Sequence, residues 1–261
     1  GCNVPAILGS RIVEEKRTRN LTILLAPFVP CTARLAVLAF LVPAFFGAAA
    51  VWVTWGMVGT SLLVLAVIGV LVNRFVNHGQ QSAFVMELPL YHVPNARTVG
   101  LYVWNNTIGF VKKAGTLILL ASMVVWILST LPGNGIDQSY LAMFGQKLES
   151  FGSLMGIGDW RIIVALITSF FAKENTIATL GVLYGAGQSL QGLAEQVALV
   201  LTPAARLAFL TVYMLFVPCL ATTATIRGET RSWRFALTSV GLMLGVSLVA
   251  GRIVFQIGSL L

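Results

Sequence analysis

The sequence predicts an all-α, polytopic membrane protein with broken or re-entrant helices, and three observations predict it. Of 261 residues, 57% are hydrophobic and 10% are charged, whereas a soluble domain carries about 25% charged residues. Residues 35 to 73 contain no group ionisable at neutral pH, which is length for two crossings at roughly 20 residues each. Lys173 and Glu174 then stand side by side inside an otherwise apolar stretch, SFFAKENTIATLGVLYG. The alternating pattern of barrel strands is absent.

Taken in order, residues 1 to 10 (GCNVPAILGS) are apolar and punctuated by Gly and Pro. Residues 11 to 20 (RIVEEKRTRN) read as a charged, helical, cytoplasmic segment. The apolar stretch 23 to 30 is too short to cross and is broken by Pro27 and Pro30. Residues 35 to 73 form a helical hairpin whose turn is expected near Thr54-Trp55-Gly56, with a kink at Pro43. Residues 74 to 113 are the most polar part and hold both histidines, His78 and His92, read as solvent-exposed loop residues. Within it, YVWNNTIGFVKK (102 to 113) suggests an interfacial amphipathic helix ahead of a crossing at 114 to 131. Leu141, Phe144, Leu148, Phe151 and Met155 recur at helical spacing, on a helix lying against the membrane part. Residues 207 to 226 and 233 to 251 supply two further crossings.

The net charge of +8 is a topology signal. Arg11, Lys16, Arg17, Arg19 and Arg34 bracket one loop; Arg74, Arg97, Lys112 and Lys113 lie in a second; Arg227, Arg231 and Arg234 lie in a third. Residues 132 to 160 instead hold Asp137, Glu149 and Asp159 against Lys147. Short loops rich in Lys and Arg stay in the cytoplasm. A nucleic-acid partner is not indicated. On this topology, residues 162 to 184 start and end on the outer face, so the stretch reads as a re-entrant hairpin or a pair of half-helices with Lys173-Glu174 at its break. Non-helical backbone at that depth is tolerated only inside protein or along a wet cavity. An ionisable residue there costs roughly 2.5–3.5 kcal/mol on insertion scales and marks a functional site by default.

No GxxxxGK[ST], HExxH or GxSxG pattern occurs, so nothing points to nucleotide hydrolysis or a familiar hydrolase. Three widely spaced cysteines, Cys2, Cys31 and Cys219, form no CxxC and no disulfide framework. Cys2 lies in GCNVPA and Cys219 in VPCLATT, directly after Pro218. A proline in mid-span frees a backbone carbonyl one turn earlier. Thiols, a carboxylate and bare carbonyls together suit borderline transition metals such as ferrous iron. Taken singly, each cysteine is also a small buried hydrophobe.

GCNVPAI, APFVPCTARL, FVMELPLYHVPN, FVKKAGT, FAKENTIATLGVLYG and VPCLATTATIRGET together resemble the membrane part of the bacterial ferrous iron transport protein B (FeoB) family, over nearly the whole chain and in the same order. The resemblance implies two Gate repeats of opposite orientation. Residues 1–18 would be the end of the first repeat and a cytoplasmic segment, 19–108 the FeoB carboxy-terminal-type region, 109–184 the second repeat, and 185–261 the last transmembrane helices. It further implies Fe²⁺ transport across the bacterial inner membrane, with Cys2 and Cys219 meeting the metal and Cys31 a third contact; Glu174, read from its place at the break, is expected as a fourth. Gly1, Asn3, Pro5, Lys173, Asn175 and Pro218 would shape and support the breaks, Lys173 holding Glu174 or a helix end. No cofactor would be bound tightly. GTP would act only through a cytoplasmic G domain outside this sequence, in cis or as a separate chain. Small Feo accessory proteins, membrane lipid and a second copy of the chain are further expected partners. Two rival readings are a Gate-type carrier of an organic solute such as a nucleoside, and a membrane scaffold for a cytoplasmic GTPase.

Overall fold

A computed structural model describes residues 1–76, 93–131, 138–153, 156–184 and 190–260. His78, His92 and Asp137 lie outside the described residues. Within these residues the regular elements are helical: α1 (Asn3–Gly9), α2 (Lys16–Leu25), α3 (Thr32–Phe46), α4 (Ala50–Val76), α5 (Ala96–Thr130), α6 (Tyr140–Ser153), α7 (Trp160–Thr168), α8 (Asn175–Leu183), α9 (Leu190–Val200), α10 (Pro203–Leu215), α11 (Leu220–Thr230) and α12 (Trp233–Leu260). Three helical stretches have the length and apolarity to cross a membrane: Lys16–Arg74, Pro203–Thr230 and Trp233–Leu260. Their outward faces carry large apolar side chains, including Trp52, Trp55, Val70, Leu237 and Val249, as a lipid-facing surface requires.

The hairpin turns at Gly47–Ala49, not at Thr54–Gly56. Gly47 takes a φ of +50°, a backbone state that favours glycine and ends helices. Thr54 and Gly56 sit within α4, where the Thr54 hydroxyl donates to the Ala50 carbonyl at 2.8 Å. Membrane helices tolerate such glycines. Pro43 stays inside a continuous α3.

Residues 102–113 and 114–131 are likewise not two elements, because α5 runs unbroken for 35 residues. Its Asn95 cap accepts from the Arg97 amide, and no glycine or proline interrupts the ladder strongly enough to stop it. The proposed boundary between residues 108 and 109 falls inside this helix.

The stretch 207 to 226 behaves in the opposite way. Pro218 does not kink a single crossing; the chain leaves the helix after Leu215, runs extended at Phe216 and Cys219, and restarts at Leu220. Proline disfavours helix both at its own position and at the residue before it. A second break separates α7 from α8 at residues 169 to 174. The two breaks are tied together, since the Leu220 amide donates to the Phe170 carbonyl at 2.7 Å.

Behind them lies the core. α10 is buried along almost its whole length and packs most extensively on α12, with Phe209 and Tyr213 fully enclosed. α6 packs on α7 through two glycines. A Cβ at Gly152 would run into the Ile157 carbonyl oxygen and come within 2.7 Å of Ile163 Cδ1. Gly152→Ala is therefore expected to destabilise the fold by about 1–3 kcal/mol in thermal unfolding of the detergent-solubilised protein. Gly158→Ala, with nothing within 4 Å of the added carbon, should unfold with the wild type.

Candidate functional site

The four side chains that the sequence singles out share one local role. Cys2 is the N-cap of α1, Cys31 of α3, Glu174 of α8 and Cys219 of α11. N-caps are ordinarily Ser, Thr, Asp or Asn, whose oxygens satisfy the first-turn amides. Here none of the four side chains makes a capping hydrogen bond. All four line a single cavity of about 190 Å³, together with Asn3, Arg34, Lys173, Pro218, Thr222 and neighbours. The three cysteines are free thiols. Cys2 and Glu174 are exposed at the rim, and Cys31 and Cys219 are half-buried. Cys219 Sγ lies 3.2 Å from Thr222 Oγ1.

Backbone ties hold these starts in place. The Thr32 amide donates to the Gly1 carbonyl at 3.2 Å, fixing α3 against the start of α1. The Asn3 side-chain amide donates to the Val29 carbonyl at 3.4 Å. Pro5 falls in the first turn of α1, where its missing N–H would have had no helical partner in any case.

Lys173 does not hold Glu174. It is 2% exposed, and its Nζ has no hydrogen-bond acceptor. The ammonium lies 5.1 Å from the Phe216 ring centre and 5.5 Å from that of Tyr213. Its carbonyl accepts from the Tyr213 hydroxyl at 3.1 Å and from Thr176 Oγ1 at 2.8 Å. The break is thus pinned by its backbone while the charged head sits between aromatic faces.

Arg34 is the residue that sequence reading misplaced. Counted there as a loop charge, it is 1% exposed. One guanidinium nitrogen donates to the Pro27 carbonyl at 2.9 Å, another to the Phe216 carbonyl at 2.6 Å. Its Nε is buried without a partner. Its position three residues after the Pro-Cys pair, and just before 39 uncharged residues, was the available signal.

Comparison with known proteins bears on this constellation. Residues 54–106 match the family described as "Ferrous iron transport protein B C terminus", and residues 111–233 match Gate, described as "Nucleoside recognition". An Fe(2+) transporter FeoB of Staphylococcus aureus (strain COL) is 33% identical over the whole of this chain, and one of Methanocaldococcus jannaschii is 32% identical, again over the whole chain. The chain carries the Gate and carboxy-terminal domains of the FeoB family. It spans about 40% of the length of these FeoB relatives. A fusion of Fe(2+) transport protein A with FeoB from Porphyromonas gingivalis is 29% identical over the whole chain, which spans 37% of it. No solved structure matches. Both breaks and the Cys219 helix start fall within the Gate match, whereas Cys2, Cys31 and Arg34 come from outside both matched regions. The cavity is therefore assembled from parts of the chain far apart in sequence.

At the basic face, Arg11 and Glu229 form a two-pronged ion pair, Nε to Oε2 at 2.9 Å, joining the segment after α1 to the end of α11. Arg11 is 62% exposed, so the pair orients these ends more than it stabilises them.

Proposed function

We propose that this chain forms the ion path of a ferrous-iron transporter in the bacterial inner membrane. The observation that carries this reading is the meeting of Cys2, Cys31, Cys219 and Glu174 on one cavity, each from the start of a different helix. Sulfur, carboxylate and hydroxyl donors suit a borderline divalent metal. Among the described residues no three His, Cys, Asp or Glu side chains stand close enough to enclose a metal. Conduction needs binding weak enough to release the ion, which a few mixed donors met in succession would provide. Fe²⁺ would shed part of its water at the breaks, meet the thiols and Glu174 in succession, and leave along α1 and α11 to the basic face.

The names of the relatives support the same substrate, and the protein A fusion supports a small Feo accessory protein as partner. A cytoplasmic G domain, joined or separate, would supply the coupling to GTP; the path itself is a transporter and not an enzyme. The Gate description favours a second reading, an organic solute such as a nucleoside. The cavity weighs against it: about 190 Å³ is below the roughly 300–1,000 Å³ of small-molecule sites. Uptake of radioactive ferrous iron by vesicles carrying the full-length protein decides between them. Mn²⁺ or Co²⁺ should compete and nucleosides should not. Competition by nucleosides alone, or vesicles that stay impermeable to Fe²⁺ with every partner present, would overturn the proposal.

A further inference from the structure

The described lining of the same cavity holds two basic side chains, Lys173 and Arg34, against one carboxylate, Glu174, an excess of positive charge that a cation path does not by itself require. Two helices longer than eight residues, α3 and α11, begin at its wall. The first-turn residues Ala33 and Arg34 of one, and Ala221 and Thr222 of the other, all line it. First-turn amides have no acceptor within their own helix. Thr32 and Leu220 find one outside, at Gly1 and Phe170. The Ala33, Arg34, Ala221 and Thr222 amides have none among the described residues. Lys173 Nζ and Arg34 Nε, both buried and both without an acceptor, belong to residues of the same wall; the Lys173 ammonium lies over the Phe216 ring, and a different guanidinium nitrogen of Arg34 donates to the Phe216 carbonyl.

Four open backbone donors and two buried basic residues thus belong to the wall of one space, against one carboxylate among its described lining residues, Glu174, which is exposed. An unpaired buried charge is costly, and helix starts attract anions. In discontinuous membrane helices the same ends face anionic groups of transported substrates. We propose that this cavity binds a small inorganic anion of chloride size between the starts of α3 and α11, with Lys173 and Arg34 as its cationic partners. The space leaves room for several waters beside it, at about 30 Å³ of liquid volume each. The bound anion supplies the negative charge that Glu174 alone does not, and lets a divalent cation approach the thiols. A cysteine thiolate is the other source of negative charge for the same donors, and the test separates the two.

The full-length protein in lipid nanodiscs is titrated with radiolabelled chloride, gluconate holding the ionic strength constant and no iron present. Saturable binding of one anion per chain is expected. It should weaken at least about tenfold in Lys173→Met, a loss of about 1.4 kcal/mol, and persist in Lys173→Arg. In the unaltered protein, chloride in place of gluconate should slow maleimide alkylation of Cys219 severalfold, because the anion occupies the donors that would stabilise the thiolate. This second measurement stands even where Lys173→Met fails to fold. Chloride binding unchanged in Lys173→Met, or no saturable binding together with rapid, chloride-indifferent alkylation, would overturn the proposal; the latter result assigns the negative charge to the thiolate. Neither measurement involves iron, so a failure of the transport reading leaves the anion site to be judged separately.

Discussion

Arg34→Lys is expected to lose nearly as much stability as Arg34→Met, although it keeps the charge. The guanidinium bridges two carbonyls from distant parts of the chain, Pro27 and Phe216, with separate nitrogens. An ammonium is a compact point donor and cannot span that fork. Each buried carbonyl left without a donor costs about 1–3 kcal/mol. The Asn3 amide reaches the Pro27 oxygen at 3.5 Å and replaces part of one bond, while Phe216 has no substitute among the described residues. Removing a buried cation also relieves its desolvation, which favours the methionine variant. Together these terms leave a loss of about 2–4 kcal/mol in either variant. The Phe216 carbonyl belongs to the α10–α11 break, so the lesion should open the cavity as well as lower the thermal midpoint. Thermal unfolding of the full-length protein, with alkylation of Cys219 as a local probe, tests both effects. A lysine variant as stable as wild type, with Cys219 no more reactive, would refute the bridging role.

The membrane class, the hairpin and the break at Lys173-Glu174 are legible in the sequence because they follow from one-dimensional signals: missing charges, run lengths and loop signs. The hairpin turn is placed seven residues too late because Thr54-Trp55-Gly56 looks polar and interfacial. The deciding feature is the backbone angle of Gly47, which composition does not register. Pro43 and Pro218 read alike in sequence, yet one sits in a continuous helix and the other ends one. Pro43 is exposed on a continuous α3, whereas around Pro218 Arg34 takes up the Phe216 carbonyl and Phe170 accepts the Leu220 amide. Such partners lie some 50 to 180 residues away, and no local pattern announces them. The same holds for the site. Its three cysteines are visible as unusual residues beside Gly or Pro, and Lys173-Glu174 as charges in an apolar stretch, but the common position of the four candidates at helix starts, and the burial of Arg34 among them, belong to the three-dimensional arrangement.

Cys219→Ser and Cys2→Ser should each reduce ferrous-iron uptake by the full-length protein at least about tenfold, equivalent to about 1.4 kcal/mol added to the barrier. The exchange removes one atom type and almost no volume, so packing is not the expected cause. It substitutes a hard oxygen for a polarisable sulfur, and soft donors are what separate iron from magnesium and calcium at such a site. Cys219 should be the more sensitive position. It is half-buried beside Thr222 Oγ1, so few waters replace the missing donor there, whereas Cys2 is exposed at the rim. Glu174→Gln should reduce uptake less than either, since the carboxylate is exposed and bulk water screens its charge. Folding losses also grow with burial, so the order Cys219, Cys2, Glu174 belongs to the ion path only where the thermal midpoints of the three variants match the wild type. Initial uptake rates at matched expression, with thermal midpoints measured in parallel, give the comparison. Unchanged uptake in both cysteine variants would remove sulfur from the path, and a Glu174 variant more damaged than Cys219→Ser would place the decisive step at the rim.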